Sequence, residues 1–200
     1  MSSSVTPDDV LSFSAPTEGF LCELSDNTYG IEFQEFVIKD YESKRVLFQV
    51  GGEDVGEAKE LEDVPVFESS DDLRTIKYTF NVDVLRLPTV STKLKFSVGG
   101  KPLEGFRMIE RHYFRDALVK SFDFAFGFVP PNTCNEWEAV YDLKKGLDAD
   151  LVEAMVAAPY ETRSDSFYFV NDQLIMQNKA YYAYVVDETT TSMGASCEGD

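Results

Sequence analysis

Residues Phe106 to Phe128 read FRMIERHYFRDALVKSFDFAFGF, and the stretch closes in strict alternation. Phe122, Phe124, Phe126 and Phe128 fall on one parity; Asp123, Ala125 and Gly127 fall on the other. Side chains along a β-strand point alternately to opposite faces, so this pattern predicts four aromatic rings on one face of one strand. That much aromatic surface serves either a deep core or a bound apolar ligand. The same period puts Met108 and Glu110 on one parity. In one phase the Glu110 carboxylate points between the layers; in the other it meets Lys or Arg at the surface.

Moving outward, the β pattern continues on both sides. Ile31, Phe33 and Val37 alternate with polar residues, Glu42-Ser43-Lys44 reads as a turn, and Arg45–Val50 as the returning strand. Further strand-like runs are Thr75–Phe80, Lys93–Val98, Phe106–Arg115, Ser121–Val129, Ala139–Leu143, Ser166–Val170, Gln173–Gln177 and Tyr181–Val186. Leu87-Pro88 and Gly99-Gly100 break the pattern, and Asn171-Asp172 reads as a tight hairpin turn. Two helices are expected. Thr6 can cap one, with Pro7 at its first position and Asp8 and Asp9 in its first turn. Asp148 caps the other, Leu151, Val152, Met155 and Val156 form its apolar face, and Pro159 stops it. About nine short strands with one inserted helix predict an all-β protein, an antiparallel β-sandwich.

Two hundred residues suit one domain with flexible ends. The expected division is a flexible N-terminal region over 1–30, its short helix detached from the domain, a sandwich over 31–186, and a disordered acidic tail over 187–200. The net charge of −18 supports that division. Residues 1–30, 51–72 and 187–200 hold half of the 36 acids and one of the 18 bases. Acidity concentrated in two ends and one long loop keeps those segments solvated. It also disfavours binding along a nucleic-acid backbone, since no basic stripe offsets it.

Three cysteines, Cys22, Cys134 and Cys197, have neither the count nor the spacing of a disulfide framework or a zinc site. The start, MSSSVTPDDV, has no basic region and no apolar run, so no signal peptide is read there. No apolar stretch approaches the roughly 18 residues of a membrane span. The expectation is a cytoplasmic protein without stable membrane insertion.

Catalytic chemistry finds little footing. His112 is the single histidine, and a serine or cysteine hydrolase needs one beside its nucleophile. No Gly-x-Ser-x-Gly, glycine-rich phosphate loop or metal-ligand spacing is present, so neither enzyme nor cofactor is expected. His112 reads as a hydrogen-bonded structural residue of a strand. Phe and Tyr make up 26 of 200 residues, and buried tyrosines at 78, 141, 168, 182 and 184 would need hydroxyl partners. Composition alone favours ordinary sandwich packing over a pocket.

The longer motifs carry a resemblance that reverses this preference. FRMIERHYFR at 106–115, KSFDFAFGF at 120–128 and YETRSDSFYFVNDQLIMQNKAYYAY at 160–184 closely resemble the uncoordinated-119 branch of the GMP-phosphodiesterase delta-subunit family. TPDDVL at 6–11 and IEFQEFVIKD with VLF at 31–48 add weaker matches. The resemblance implies an immunoglobulin-like β-sandwich with a hydrophobic cavity between its sheets. It implies a non-enzymatic chaperone for N-myristoylated proteins, a monomer whose cargo an Arf-like small GTPase releases in its GTP form, often toward a cilium or flagellum. The family's pocket aromatics fall on Phe36, Tyr78, Phe122, Tyr141 and Tyr168. Its carboxylate, which contacts the amide end of the acylated glycine, falls on Glu110. Val84, Ala139 and Leu143 stand where that branch commonly has larger side chains, and GFVPPNTCNEW at 127–137 is more like the prenyl-binding branch. A prenyl-binding solubilising factor therefore remains an alternative, as does a sandwich adaptor with a filled core. The chain's own Met-Ser-Ser-Ser start and Cys197-Glu-Gly-Asp end match neither an acylation nor a prenylation signal.

Overall fold

A computed structural model describes residues 5–52, 72–143 and 147–186. The tail 187–200, and all of the acidic loop except Gly51, Gly52 and Asp72, lie outside the described residues. The chain opens with α1 (Pro7–Ser12), started by a capping box: Thr6 Oγ1 accepts from Asp9 N and the Asp9 carboxylate accepts from Thr6 N. Strands β1 (Glu32–Asp40), β2 (Val46–Gly51), β3 (Thr75–Asn81), β4 (Thr89–Ser97), β5 (Leu103–Phe114), β6 (Ala117–Val129) and β7 (Cys134–Asp142) follow. Then come α2 (Ala149–Ala157), capped by Asp148 as expected, β8 (Thr162–Val170) and β9 (Gln173–Val185).

The strands form a two-layer sandwich, with β2-β1-β4-β7 in one sheet and β3-β9-β8-β5-β6 in the other. The β8–β9 hairpin turns on Asn171 and Asp172, both at positive φ (49° and 60°), as a type I′ turn requires. The sandwich is antiparallel as expected, with one parallel pair, β3 with β9, at the edge of one sheet. β3 joins the edge of its sheet beside the last strand, away from its sequence neighbours, so no hairpin sets its direction. The two runs expected at 173–177 and 181–186 are one strand. Lys179, between them, is held by an ion pair from its Nζ to Asp165 Oδ1 at 2.9 Å.

Two expectations from the sequence are overturned. Phe122, Phe124 and Phe126 face the space between the sheets, but Phe128 does not: it is 61% exposed, and Val129 is buried in its place. The cause is Gly127, whose φ of +95° belongs to a β-bulge where the β5–β6 register shifts around Phe106. An extra residue in one strand flips the parity of the residues beyond it.

The second concerns α1, which is not detached: it and the segment that follows pack against the sandwich. Val10 is fully buried with Ile109, Phe167, Phe169 and Leu174 on the outer face of β5, β8 and β9. Beyond the helix the backbone is tied to that face by buried polar side chains. Arg111 Nη2 donates to Phe13 O, Thr17 N donates to Asp165 Oδ2 (2.8 Å), Lys179 Nζ donates to Thr17 O (2.6 Å), and Leu21 N donates to Gln177 Oε1 (2.7 Å). Each tie satisfies groups that burial would otherwise leave unpaired.

At one end the sandwich is solid. Phe96 and Phe106 are fully buried, and Phe106, Phe126 and Trp137 meet at ring-centroid distances of 5.3–6.3 Å. Toward α2 and the 3-10 turn Val82–Arg86 the layers separate, and the space between them is not filled by side chains.

Candidate functional site

A cavity of about 370 Å³ lies between the sheets. That falls within the roughly 300–1,000 Å³ of small-molecule and cofactor sites. Phe33, Met108, Trp137 and Tyr168 line it nearest the packed aromatic end; Val84, Leu85, Leu147 and Met155 line it toward α2 and the 3-10 turn. The walls are mostly apolar, and polar groups enter from a few inward strand positions.

Glu110 is the centre of the polar part. On β5, Met108, Glu110 and His112 share the inward face, while Ile109, Arg111 and Tyr113 pack outward under the N-terminal segment. Register places Glu110 between Phe122 of β6 and Ser166 of β8. The carboxylate is buried but well supplied. His112 Nε2 lies 2.5 Å from Oε1, the Tyr141 hydroxyl donates to Oε2 at 3.0 Å across from the other sheet, and Ser166 provides a third side-chain hydrogen bond. An ionised carboxylate only accepts, so His112 Nε2 is the donor in its bond to Oε1. Burial pushes the Glu110 carboxyl up. The attraction of His112 and the hydrogen bonds from His112, Tyr141 and Ser166 outweigh burial and hold it below the usual range.

The rings around this group hold one another in place. Tyr141 packs edge-on against Phe122 at 4.7 Å and Phe124 at 5.0 Å. His112 stands edge-on to Phe122 at 5.7 Å. Tyr78 stacks against Phe80 and Tyr182 and meets Phe48 edge-on at 4.8 Å. Burial, and secondarily the Glu110 charge, raise the phenols of Tyr78, Tyr141 and Tyr168, which therefore stay neutral hydrogen-bond donors.

All six residues singled out in the sequence line this one cavity: Phe36 and Tyr141 from one sheet; Tyr78, Glu110, Phe122 and Tyr168 from the other. Val84, Ala139 and Leu143 line it too. Sequence reasoning assigned His112 to structure alone, yet it lies on the wall and grips Glu110. Its spacing of two from Glu110 within a strand was the signal that the two share a face. Tyr182 was noted only as a buried tyrosine in need of a partner, and Ser164, Ser166 and Asn178 were not singled out at all, because single polar residues in β8 and β9 form no motif. Among the described residues no group of three or more His, Cys, Asp or Glu side chains could hold a metal ion, and no helix is long and apolar enough to cross a membrane.

Comparison with known proteins bears on this site. The family described as GMP-PDE, delta subunit, matches residues 25–184. The chain is 46% identical over 180 residues to protein unc-119 homolog B of Danio rerio, spanning 90% of this chain and 74% of that protein. It is 45% identical over 186 residues to protein unc-119 homolog B of Homo sapiens (90% and 72%). With protein unc-119 of Caenorhabditis elegans it shares 43% over 180 residues (90% and 80%).

Proposed function

This chain belongs to the GMP-PDE delta-subunit family, on its unc-119 branch, and on that footing we propose that it is a non-enzymatic lipid-binding chaperone. It takes the acyl chain of N-myristoylated proteins into the inter-sheet cavity and carries them through water. The observation that carries this reading is an apolar cavity with the Glu110 carboxylate buried in its wall and hydrogen-bonded by His112 and Tyr141. Apolar walls suit a hydrocarbon chain, and the carboxylate supplies an acceptor for the amide N–H next to it.

The energetics are adequate. Burying a myristoyl chain stabilises the complex by about 0.8 kcal/mol per CH2, on the order of 10 kcal/mol in all. Loss of cargo freedom and ordering of the mouth offset much of that. The remainder competes with the marginal membrane binding of a single myristoyl chain. Amide groups entering the cavity must be satisfied away from water, and Glu110 and the Tyr168 hydroxyl serve that end. Phe36, Tyr78, Phe122 and Tyr141 form walls for the chain. Release follows when an Arf-like GTPase in its GTP form binds a closed-cavity form better, since an effector shifts a population only through differential affinity. GTPase release, delivery toward a cilium and a cytoplasmic place of work rest on the branch alone.

A calorimetric titration with three versions of one glycine-led peptide tests the proposal: N-myristoylated, prenylated at a C-terminal cysteine, and unlipidated. The myristoylated peptide should bind at least tenfold tighter than the prenylated one, with no binding of the bare peptide. Equal binding of all three would reject the chaperone reading, and preference for the prenylated peptide would move the protein to the prenyl-binding function.

A further inference from the structure

We propose that Glu110 makes the cavity select N-acyl amides and turn away the free fatty acid of the same chain length. The inference rests on the lipid-binding reading and adds the class of abundant competitor that the site excludes. A chaperone of acylated proteins works among free fatty acids whose hydrocarbon chains fit the same walls. Chain burial cannot tell them apart, because the methylene count is the same. Discrimination has to come from the head.

The head meets a carboxylate. Its two oxygens offer about four acceptor sites. Three are used, by His112 Nε2 at 2.5 Å, by the Tyr141 hydroxyl at 3.0 Å and by Ser166. About one site remains for an occupant, and the ionised group has nothing to donate. A secondary amide brings an N–H to that site. A fatty acid at neutral pH brings a second carboxylate beside the buried Glu110 among mostly apolar walls, where like charges are strongly unfavourable. A site built around one hydrogen-bonding head rejects an analogue that cannot make the bond.

Among the described residues, every cation on the wall is already engaged. Arg74 donates to Cys22 O and lies over the Phe20 ring. Lys179 is paired with Asp165 and Thr17, and Lys120 holds an interaction within the protein. His112 is already bonded to Glu110. The Tyr182 hydroxyl pairs with Ser164 Oγ at 2.9 Å, and Tyr168 hydrogen-bonds Asn178. These neutral hydroxyls can lend an anionic head a hydrogen bond but no countercharge, and to gain one the head would have to draw a cation away from its partner.

Three ligands with the same chain test this on the full-length protein at neutral pH: myristoyl-glycine N-methylamide, myristate and myristyl alcohol. The amide should bind about 30-fold tighter than the acid, a difference of about 2 kcal/mol at 1.4 kcal/mol per tenfold. The alcohol, uncharged and able to donate, should bind within about fivefold of the amide. Glu110→Gln should narrow the amide-to-acid gap to about threefold by gaining acid affinity. Equal binding of amide and acid by the wild type, an alcohol as weak as the acid, or an unchanged gap in Glu110→Gln would each overturn the proposal. The three wild-type titrations decide it even if the variant does not fold. If none of the ligands binds the wild type, the lipid-binding reading itself falls, an outcome distinct from the loss of selectivity alone.

Discussion

Glu110 is buried among aromatic rings, and its ionisation is kept by three side chains from three strands. The group therefore links stability to pH in a definite direction. Its folded value lies below the ordinary 4.5, so the stability it contributes is fully present above about pH 4.5 and is lost as pH falls through the depressed folded value. Glutamine cannot titrate, so Glu110→Gln should lose less stability than the wild type between pH 5 and pH 3. Urea midpoints across that range would show it. The carboxyls of Asp9 and Asp40 are also held low, but both proteins share them and their contribution cancels. Parallel slopes would mean that Glu110 titrates alike in the folded and unfolded chain, and wild-type stability rising relative to the variant as pH falls would mean that it is not ionised in the native state. At this scale the sequence was informative where two residues share a strand: the parity of Met108 and Glu110 left two phases, and the structure takes the inward one. It was silent on Tyr141 and Ser166 as partners of Glu110, because those contacts join residues from separate strands, and no local spacing records them.

Alternation in β6 was legible through Phe126 and failed at the next aromatic. The sign of the failure lay in the sequence, since glycine inside a strand often marks a bulge. Four phenylalanines on one parity simply outweighed it. Gly127 sits at φ +95°, and a Cβ placed there would meet nothing within 4 Å. Gly127→Ala should therefore cost only backbone strain and destabilise by about 1–2 kcal/mol, read from urea denaturation. An unchanged midpoint would show that the bulge relaxes when its glycine is lost. The N-terminal segment was misread for a different reason. Its composition is that of a solvated end, but its anchors are Asp165, Gln177 and Lys179, roughly 150 positions away. Pairings at that separation appear only when β8 and β9 come together. The β8–β9 turn and the cap of α2 were legible because Asn171-Asp172 and Asp148 act on their immediate neighbours.

Across the whole molecule, the sandwich is packed at one end and hollow at the other, and the hollow is a cost that a bound chain removes. A natural core leaves few voids, so an apolar cavity of about 370 Å³ forgoes dispersion contacts on every wall. Ala139 marks where the space could be closed. It is a buried small residue on the wall, paired with Thr92 in the β4–β7 register, beside walls formed by Leu94 and Tyr141. Ala139→Phe would project a ring into existing space, without the strain of overpacking a filled core. The variant should be as stable as the wild type or more so, while its affinity for a myristoylated peptide falls at least tenfold. Thermal denaturation reads both effects together. A ligand at about 100 times its Kd stabilises the native state by about 2.7 kcal/mol, which raises the Tm of a protein this size by on the order of 5–10 °C. The wild type should show that rise with the acylated peptide, and Ala139→Phe should start from an equal or higher Tm and show almost none. A variant that still gains the full shift would place the acyl chain away from Ala139. A variant that is simply unstable would mean that the cavity is narrower at β7 than its volume suggests, and that the emptiness beside Ala139 is already closed by Tyr141 and Leu94.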